Sequence, residues 1–273
     1  MTGRQLDFFS GDGVPPPSPP QQSGTPRRTA PSDLDDAALV AAIREASLAD
    51  APSLAAEAGW RRLAAAVPAL EDVCRRFAGF GLERTIPEQA AALEGLAMIG
   101  GPAAAQAVAR IITRGAVQGP ATSIAVSAAA QLDSELPAAV VLALLRHADR
   151  GVRAAACRCV RPWPEAVPIL VDLLNDLNSD VSGSAACALG RLGRPEARPA
   201  LVRLLRMAPS PEVIDGVTLV ANEDCVVLLA RIARTRPDLA PAAIDALHQV
   251  DHPRAAQVLA ALARPQGQES DGW

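Results

Sequence analysis

Several groups of side chains in this 273-residue sequence could do chemistry. The first is Arg4-Gln5-Leu6-Asp7-Phe8-Phe9-Ser10. The chain has only four Phe, and two of them stand here. The stretch that follows runs through Pro15-Pro16-Pro17, Pro19-Pro20 and Gln21-Gln22. Such a composition cannot bury enough apolar surface to offset its ordering entropy. The rings therefore lack a core of their own, and a partner's apolar groove would explain them. The second group is Arg191, Arg194, Arg198, Arg203 and Arg206, opposed in the sequence only by Glu196. Guanidinium forks suit phosphate and carboxylate. On a helix over 196–206 the apolar face is Ala197, Leu201, Leu204 and Leu205, so Arg203 and Arg206 point away from it as candidate phosphate-binding residues. The plainer account of Arg203 is a surface pair with Asp172, worth little energetically.

Other candidates are weaker. His248 and His252 are four apart and on one helix could share a metal. Pro253 puts His252 in the turn, however, and no Glu adjoins His248, so no metal is expected. Cys74, Cys157, Cys159, Cys187 and Cys225 are an odd number scattered among apolar residues. They read as small core side chains in a reducing compartment rather than a disulfide framework. The glycines punctuate helices and form no phosphate-cradling loop, no Ser sits in a nucleophile elbow, and no cofactor is expected. Trp163, in Arg161-Pro162-Trp163-Pro164, is either an exposed partner-binding anchor or a cover for helix ends. Trp60, at helical spacing with Leu63, is expected in the core.

The elements that must position these residues are helices. With 26 basic and 30 acidic side chains the net charge is −4, which gives no reason to expect non-specific nucleic-acid binding by the whole surface. Every basic residue is Arg, and aromatics make up only 3%. Residues 1–31 read as a disordered Pro-rich tail carrying a docking motif, and 266–273 as a second tail. Between them, over 32–265, apolar residues recur at helical spacing, and Pro and Gly separate helices of an expected 10–16 residues. The first begins near Ser32, a capping residue followed by acids. Strand signals are nearly absent. No apolar stretch is long enough and free enough of charge to span a membrane, and the start lacks the order of a secretory signal, so a cytoplasmic location is expected.

The helices repeat. Glu165 to Leu174 and Glu196 to Leu205 are identical at seven of ten positions, at an offset of 31. Asp149 to Ala156 corresponds to Ser179 to Ala186. A period near 30 with two short helices per period is the mark of an α-solenoid, in which each pair buries a face only by stacking on the next. The runs Val152-Arg153-Ala154-Ala155-Ala156 and Ala185-Ala186-Cys187-Ala188-Leu189-Gly190, with the Pro-x-Leu-x-x-Leu-Leu helices, resemble HEAT repeats. The closest likeness is to the short bacterial type also found in phycobilisome-lyase-like proteins. The likeness is good over 88–206 and looser at both ends. It implies an all-α, right-handed α-solenoid of about seven HEAT-like helix pairs.

Gln5-Leu6-Asp7-Phe8-Phe9 resembles the bacterial sliding-clamp-binding motif, Gln-Leu-Ser/Asp-Leu-Phe, with Phe8 in place of Leu. The resemblance implies that Gln5 hydrogen-bonds at the rim of the clamp pocket while Leu6, Phe8 and Phe9 fill it. About 22 following residues would give the tether a reach of roughly 25 Å. The function expected is a non-enzymatic adaptor in replication or repair, docked through its tail to the clamp while the solenoid binds another protein or DNA. The alternatives are an enzyme, either a HEAT-type DNA glycosylase or a bilin lyase, and a scaffold unrelated to DNA. A glycosylase would want aromatics and a carboxylate in a basic cleft, and aromatics are scarce here.

Overall fold

A computed structural model describes residues 30–78 and 82–263. Gln5, Leu6, Phe8 and Phe9 lie outside the described residues, as do most of the first expected tail and all of the second. The described residues form fifteen α-helices and no strand. In chain order they are α1 (Asp36–Glu45), α2 (Ala51–Trp60), α3 (Val67–Arg76), α4 (Pro87–Ile99), α5 (Gly101–Thr113), α6 (Ala121–Gln131), α7 (Ala138–Leu145) and α8 (Arg150–Arg158). Then follow α9 (Ala166–Leu173), α10 (Ser179–Arg191), α11 (Arg198–Met207), α12 (Pro211–Val217), α13 (Glu223–Thr235), α14 (Ala240–Gln249) and α15 (Pro253–Leu262).

Helix boundaries follow local chemistry. Proline stands in the first turn of α2, α3, α4, α5, α11, α12, α14 and α15. There its missing N–H costs nothing and its fixed φ suits the helix. Prolines read in the sequence as separators between helices are thus often their opening residues. Side-chain caps sit at Asp149, whose Oδ1 accepts from Val152 N at 3.0 Å, and at Asn222, whose Oδ1 accepts from Cys225 N at 3.1 Å. At the start of the stack the cap is Asp35, which accepts from Ala38 N at 2.7 Å, and not Ser32. Pro31–Asp33 instead forms a short 3-10 turn before α1. Most helices have the expected 10 residues or more, but α7, α8, α9 and α12 are shorter, at 8, 9, 8 and 7 residues.

The helices form two layers. One is the succession α2, α4, α6, α8, α10, α12, α14, each packed on the next. The other holds α1, α3, α5, α7, α9, α11, α13 and α15. From α2 onward these make seven helix pairs, with α1 as an extra helix at one end. The buried side chains form one continuous core between the layers, running from Leu39 to Ala255. This is the α-solenoid that the repeat period predicts.

The even-numbered layer is close-packed because glycine and alanine let backbones touch. A Cβ on Gly59 would lie 3.1 Å from Gly95 Cα, and one on Gly95 would lie 2.8 Å from Ala55 O, so α2 and α4 meet backbone to backbone. At the α10–α12 crossing, a Cβ on Gly190 would lie 1.9 Å from Gly216 O. The same packing corrects the expectation for Trp60, which is 77% exposed. Gly59 takes the place against α4, and the next residue, about 100° further round the helix, points outward.

Inter-repeat ties supplement the core. Gln89, 1% exposed, donates from Nε2 to Cys74 O at 2.9 Å and to Ala116 O at 3.1 Å. Arg153 binds Asp176 at 2.8 Å and donates to His147 O and Ala148 O, fastening α8 to the turns that follow α7 and α9.

These crossings separate two glycines of the same helix. Gly190→Ala is expected to destabilise the fold by about 3 kcal/mol, because a backbone oxygen blocks the added methyl. Gly183→Ala meets only Leu204 at 3.8 Å and is expected to stabilise by about 0.5–1 kcal/mol through helix propensity. Urea unfolding midpoints of the two variants, moving in opposite directions, check this.

Candidate protein-interaction surface

The odd-numbered layer carries the outward-facing side chains that distinguish one repeat from the next. At the equivalent outer position stand Arg110 on α5, Ala143 on α7, Asp172 on α9 and Arg203 on α11. Arg110 is engaged by Glu71 of α3 in a two-pronged pair at 2.7 and 3.0 Å, which raises its pKa further above the ordinary guanidinium range. Ala143 belongs to a helix that is apolar all round, Ala138-Ala139-Val140-Val141-Leu142-Ala143-Leu144-Leu145. Its Val141 and Leu145 are buried, but Ala139 and Ala143 are exposed. An apolar helix face left in water marks a contact surface more often than it marks a stable end state.

Helices α5 and α7 have little contact with each other, unlike α3 and α5. The Ala139 and Ala143 methyls are too short to bridge the space. The result is a cleft of about 370 Å³ lined by Ile112, Val117, Ala139, Val140, Ala143 and Leu144, with His147 at its rim. Between the first turns of α5 and the α6–α7 turn, a separate opening of about 720 Å³ is lined by Pro102, Gln106, Arg110, Asp133 and Glu135. The α5–α7 cleft is thus apolar, and the second opening on α5 is charged. Sequence reasoning missed the cleft. The signal available was the charge-free run at 138–145, where neighbouring repeats place Asp172 and Arg203.

The arginine run resolves into two kinds. Arg191 donates to Cys157 O at 3.3 Å and faces Glu212 at 3.8 Å, Arg194 pairs with Glu196 at 3.4 Å, and Arg198 donates to Val220 O at 2.7 Å. Arg191 and Arg198 are fasteners between helices, while Arg194 is held within the turn that leads into α11. Arg203 and Arg206 are exposed and make no hydrogen bond or ion pair with any described residue, so the Asp172–Arg203 pair does not form. Arg206 borders a cleft of about 220 Å³ between α11 and α13, which Arg231 and Arg236 also line.

Trp163 is half-buried and packed against the core, so it covers helix ends between α8 and α9 more than it projects from them. His252 caps α15, its Nδ1 accepting from Arg254 N at 3.2 Å. Among the described residues no cluster of His, Cys, Asp and Glu could hold a metal ion. The three described aromatics, Trp60, Phe77 and Trp163, lie on separate elements. No described helix is long and apolar enough to cross a membrane.

All five cysteines are free and buried. Burial pushes the Cys74, Cys157 and Cys187 thiols up to about 12 and Cys159 to about 11, and raises Cys225 as well. They are protonated core residues, as their apolar neighbours in the sequence imply, and not nucleophiles.

With this geometry in view, comparison with known proteins gives one family. The HEAT repeats profile matches residues 137–222, the span from the start of α7 to the cap of α13. That match and the two-layer helical stack fit a HEAT-repeat solenoid. No curated protein matches the chain.

The buried thiols give a chemical test. In the native chain none of the five is expected to react with a thiol reagent at pH 8, and all five are expected to react once the chain is unfolded. Because the folded state holds these protons above the ordinary cysteine range, stability is expected to fall as pH rises from about 9 toward 12. Thiol counting with and without denaturant, and thermal melts across that window, read both effects.

Proposed function

We propose that this protein is a non-enzymatic scaffold that binds a protein partner along the outer face of its odd-numbered helix layer. The observation that carries the reading is the apolar cleft between α5 and α7, lined by Ile112, Val140 and Leu144, together with a second opening on α5 that Asp133 and Glu135 of the α6–α7 turn line with charge. A solenoid offers an extended surface for such contacts, and an apolar centre with a polar border is the anatomy of a protein interface. Arg203 and Arg206, unengaged by any described residue, are assigned to acidic or phosphate groups on the bound partner, and the remaining edge of Trp163 to its rim.

The tail makes this scaffold an adaptor. Gln5-Leu6-Asp7-Phe8-Phe9 is read as the docking motif for a bacterial DNA polymerase sliding clamp, which places the protein in replication or repair. Tethering through the tail raises the effective concentration of the solenoid at its target without any new contact there. What supports this is the motif's residue order and the placing of paired Phe in a Pro-rich segment whose composition builds no core of its own.

The test is a direct titration of the full chain against a bacterial sliding clamp. Binding is expected, and Phe8→Ala/Phe9→Ala is expected to weaken it by about 2 kcal/mol or more, roughly thirtyfold, as for anchors filling a pocket. Failure of the native chain to bind removes the replication link and leaves the scaffold reading standing. An unchanged affinity in the double variant moves the contact away from the motif.

A further inference from the structure

Outside the two openings just described, one cleft combines apolar walls with charges that the fold leaves unused. It has a volume of about 570 Å³ and opens between the α1–α2 turn, the end of α3 and the start of α4. Leu48, Phe77, Ile86 and Pro87 supply its apolar lining, and Leu48 is 61% exposed. Arg76 lies over the Phe77 ring, 5.9 Å from its centroid, and donates to the carbonyls of Ile43, Arg44 and Ala46. Arg84, on the rim, makes no hydrogen bond or ion pair with any described residue.

The informative residue is Glu88. It lines this cleft yet is only 7% exposed, and its carboxylate has no hydrogen bond or ion pair with any described residue. Its place in the first turn of α4 gives it some help from the helix N-terminus. Its carboxylate oxygens are not among the buried atoms without a partner, so they reach the open cleft, where a cationic group would add a direct, charge-assisted partner. The cleft therefore asks for a ligand with three features: a cationic donor for Glu88, an anionic group for Arg84, and apolar bulk for Leu48, Phe77 and Ile86.

The chain itself carries a segment of that description. Arg4 is a cation, Asp7 an anion, and Leu6, Phe8 and Phe9 are apolar. Geometry permits the contact. Pro31 O accepts from Arg61 Nη2 at 3.1 Å, so the chain enters the described fold beside the end of α2. The cleft opens at the other end of α2, a helix of 10 residues, or about 15 Å away along its axis. The twenty residues Ser10 to Thr29 span roughly 25 Å as a flexible chain.

We propose that this cleft is the docking site for the chain's own segment Arg4–Phe9. The Glu88 carboxylate takes the Arg4 guanidinium, the Arg84 guanidinium takes the Asp7 carboxylate, and Leu6, Phe8 and Phe9 cover Leu48, Phe77 and Ile86. This deepens the adaptor reading and uses the same segment. The solenoid holds the motif until a tighter-binding partner takes it, so the adaptor is latched when alone.

Hydrogen–deuterium exchange on the full-length chain, with no clamp present, tests the latch. Amides of residues 5–9 are expected to exchange at least tenfold more slowly in the native chain than in Arg84→Glu or Glu88→Gln. Arg84 is exposed and unengaged by described residues, so its variant keeps the fold, and far-UV circular dichroism verifies this. Arg4→Glu alone is expected to abolish the slowing, and Arg4→Glu combined with Glu88→Arg to restore it. Exchange of residues 5–9 at free-peptide rates in the native chain overturns the proposal. So does slowing that none of the charge variants changes. Slowing that grows with protein concentration assigns the cleft to the segment of a second copy and overturns docking within one chain. The exchange result does not depend on whether a clamp binds, and the clamp titration does not depend on the latch, so the two readings fail separately.

Discussion

The structure rests on the backbone-to-backbone approach of the even-numbered helices. At Gly59–Gly95 and at Gly190–Gly216 the helices touch where any Cβ would intrude. Between these crossings Ala55, Ala125, Ala129, Ala155, Ala185 and Ala186 are buried and keep the same layer thin. The odd-numbered helices use Leu, Ile and Val to fill the space between layers, so their own axes are set by larger side chains. Two layers with unlike spacing cannot both close. Where an odd-numbered helix is short and faces its neighbour with alanine, as α7 does, the layer opens into a cleft.

A second constraint is the satisfaction of helix ends. A stack of short helices has many termini, and each leaves carbonyls without an intrahelical donor. Arginine supplies several donors in a fixed fork, which suits this task. Arg61 reaches Pro31 O, Ser32 O and Leu34 O, Arg76 reaches three carbonyls at the end of α1, and Arg153 joins two carbonyls and Asp176. Lysine could place one ammonium at such a site but not a fork bridging a carboxylate and a carbonyl. An all-arginine basic complement is consistent with that demand.

The fold was legible in the sequence because a period near 30 appears in residue identity as well as in hydropathy: Glu165 to Leu174 and Glu196 to Leu205 became α9 and α11 with their lead-in turns. The individual side chains were less legible, for physical reasons. Trp60 lies at helical spacing from apolar residues, and periodicity alone could not show that Gly59 would take the contact with α4. Ser32 has the form of a cap, yet Asp35 caps α1, because Pro31 starts a 3-10 turn that places Ser32 within it. Arg191 and Arg198 looked like the rest of a basic run, and only their three-dimensional neighbours, Cys157 O and Val220 O, separate them from Arg203 and Arg206. Contacts 22 to 34 residues apart are set by the stacking of repeats, and a single sequence does not carry them at the level of atoms. Gln89 makes the same point, since its two carbonyl partners lie on different repeats.

The fate of the arginines also bears on the kind of partner. A protein with net charge −4 has no general field to draw nucleic acid, so DNA binding would require a local concentration of free guanidinium groups. Many of the candidates are instead tied to carbonyls or carboxylates of the fold, which lowers the positive potential they present outward. Arg203 and Arg206 remain on α11, while Arg84 stands at the other end of the stack beside an apolar cleft and a buried carboxylate. A phosphate backbone rewards closely spaced cations and offers nothing to Ile112, Val140 or Leu144. A protein segment with its own apolar side chains and both signs of charge matches these surfaces better, because each surface places an apolar wall next to charged groups.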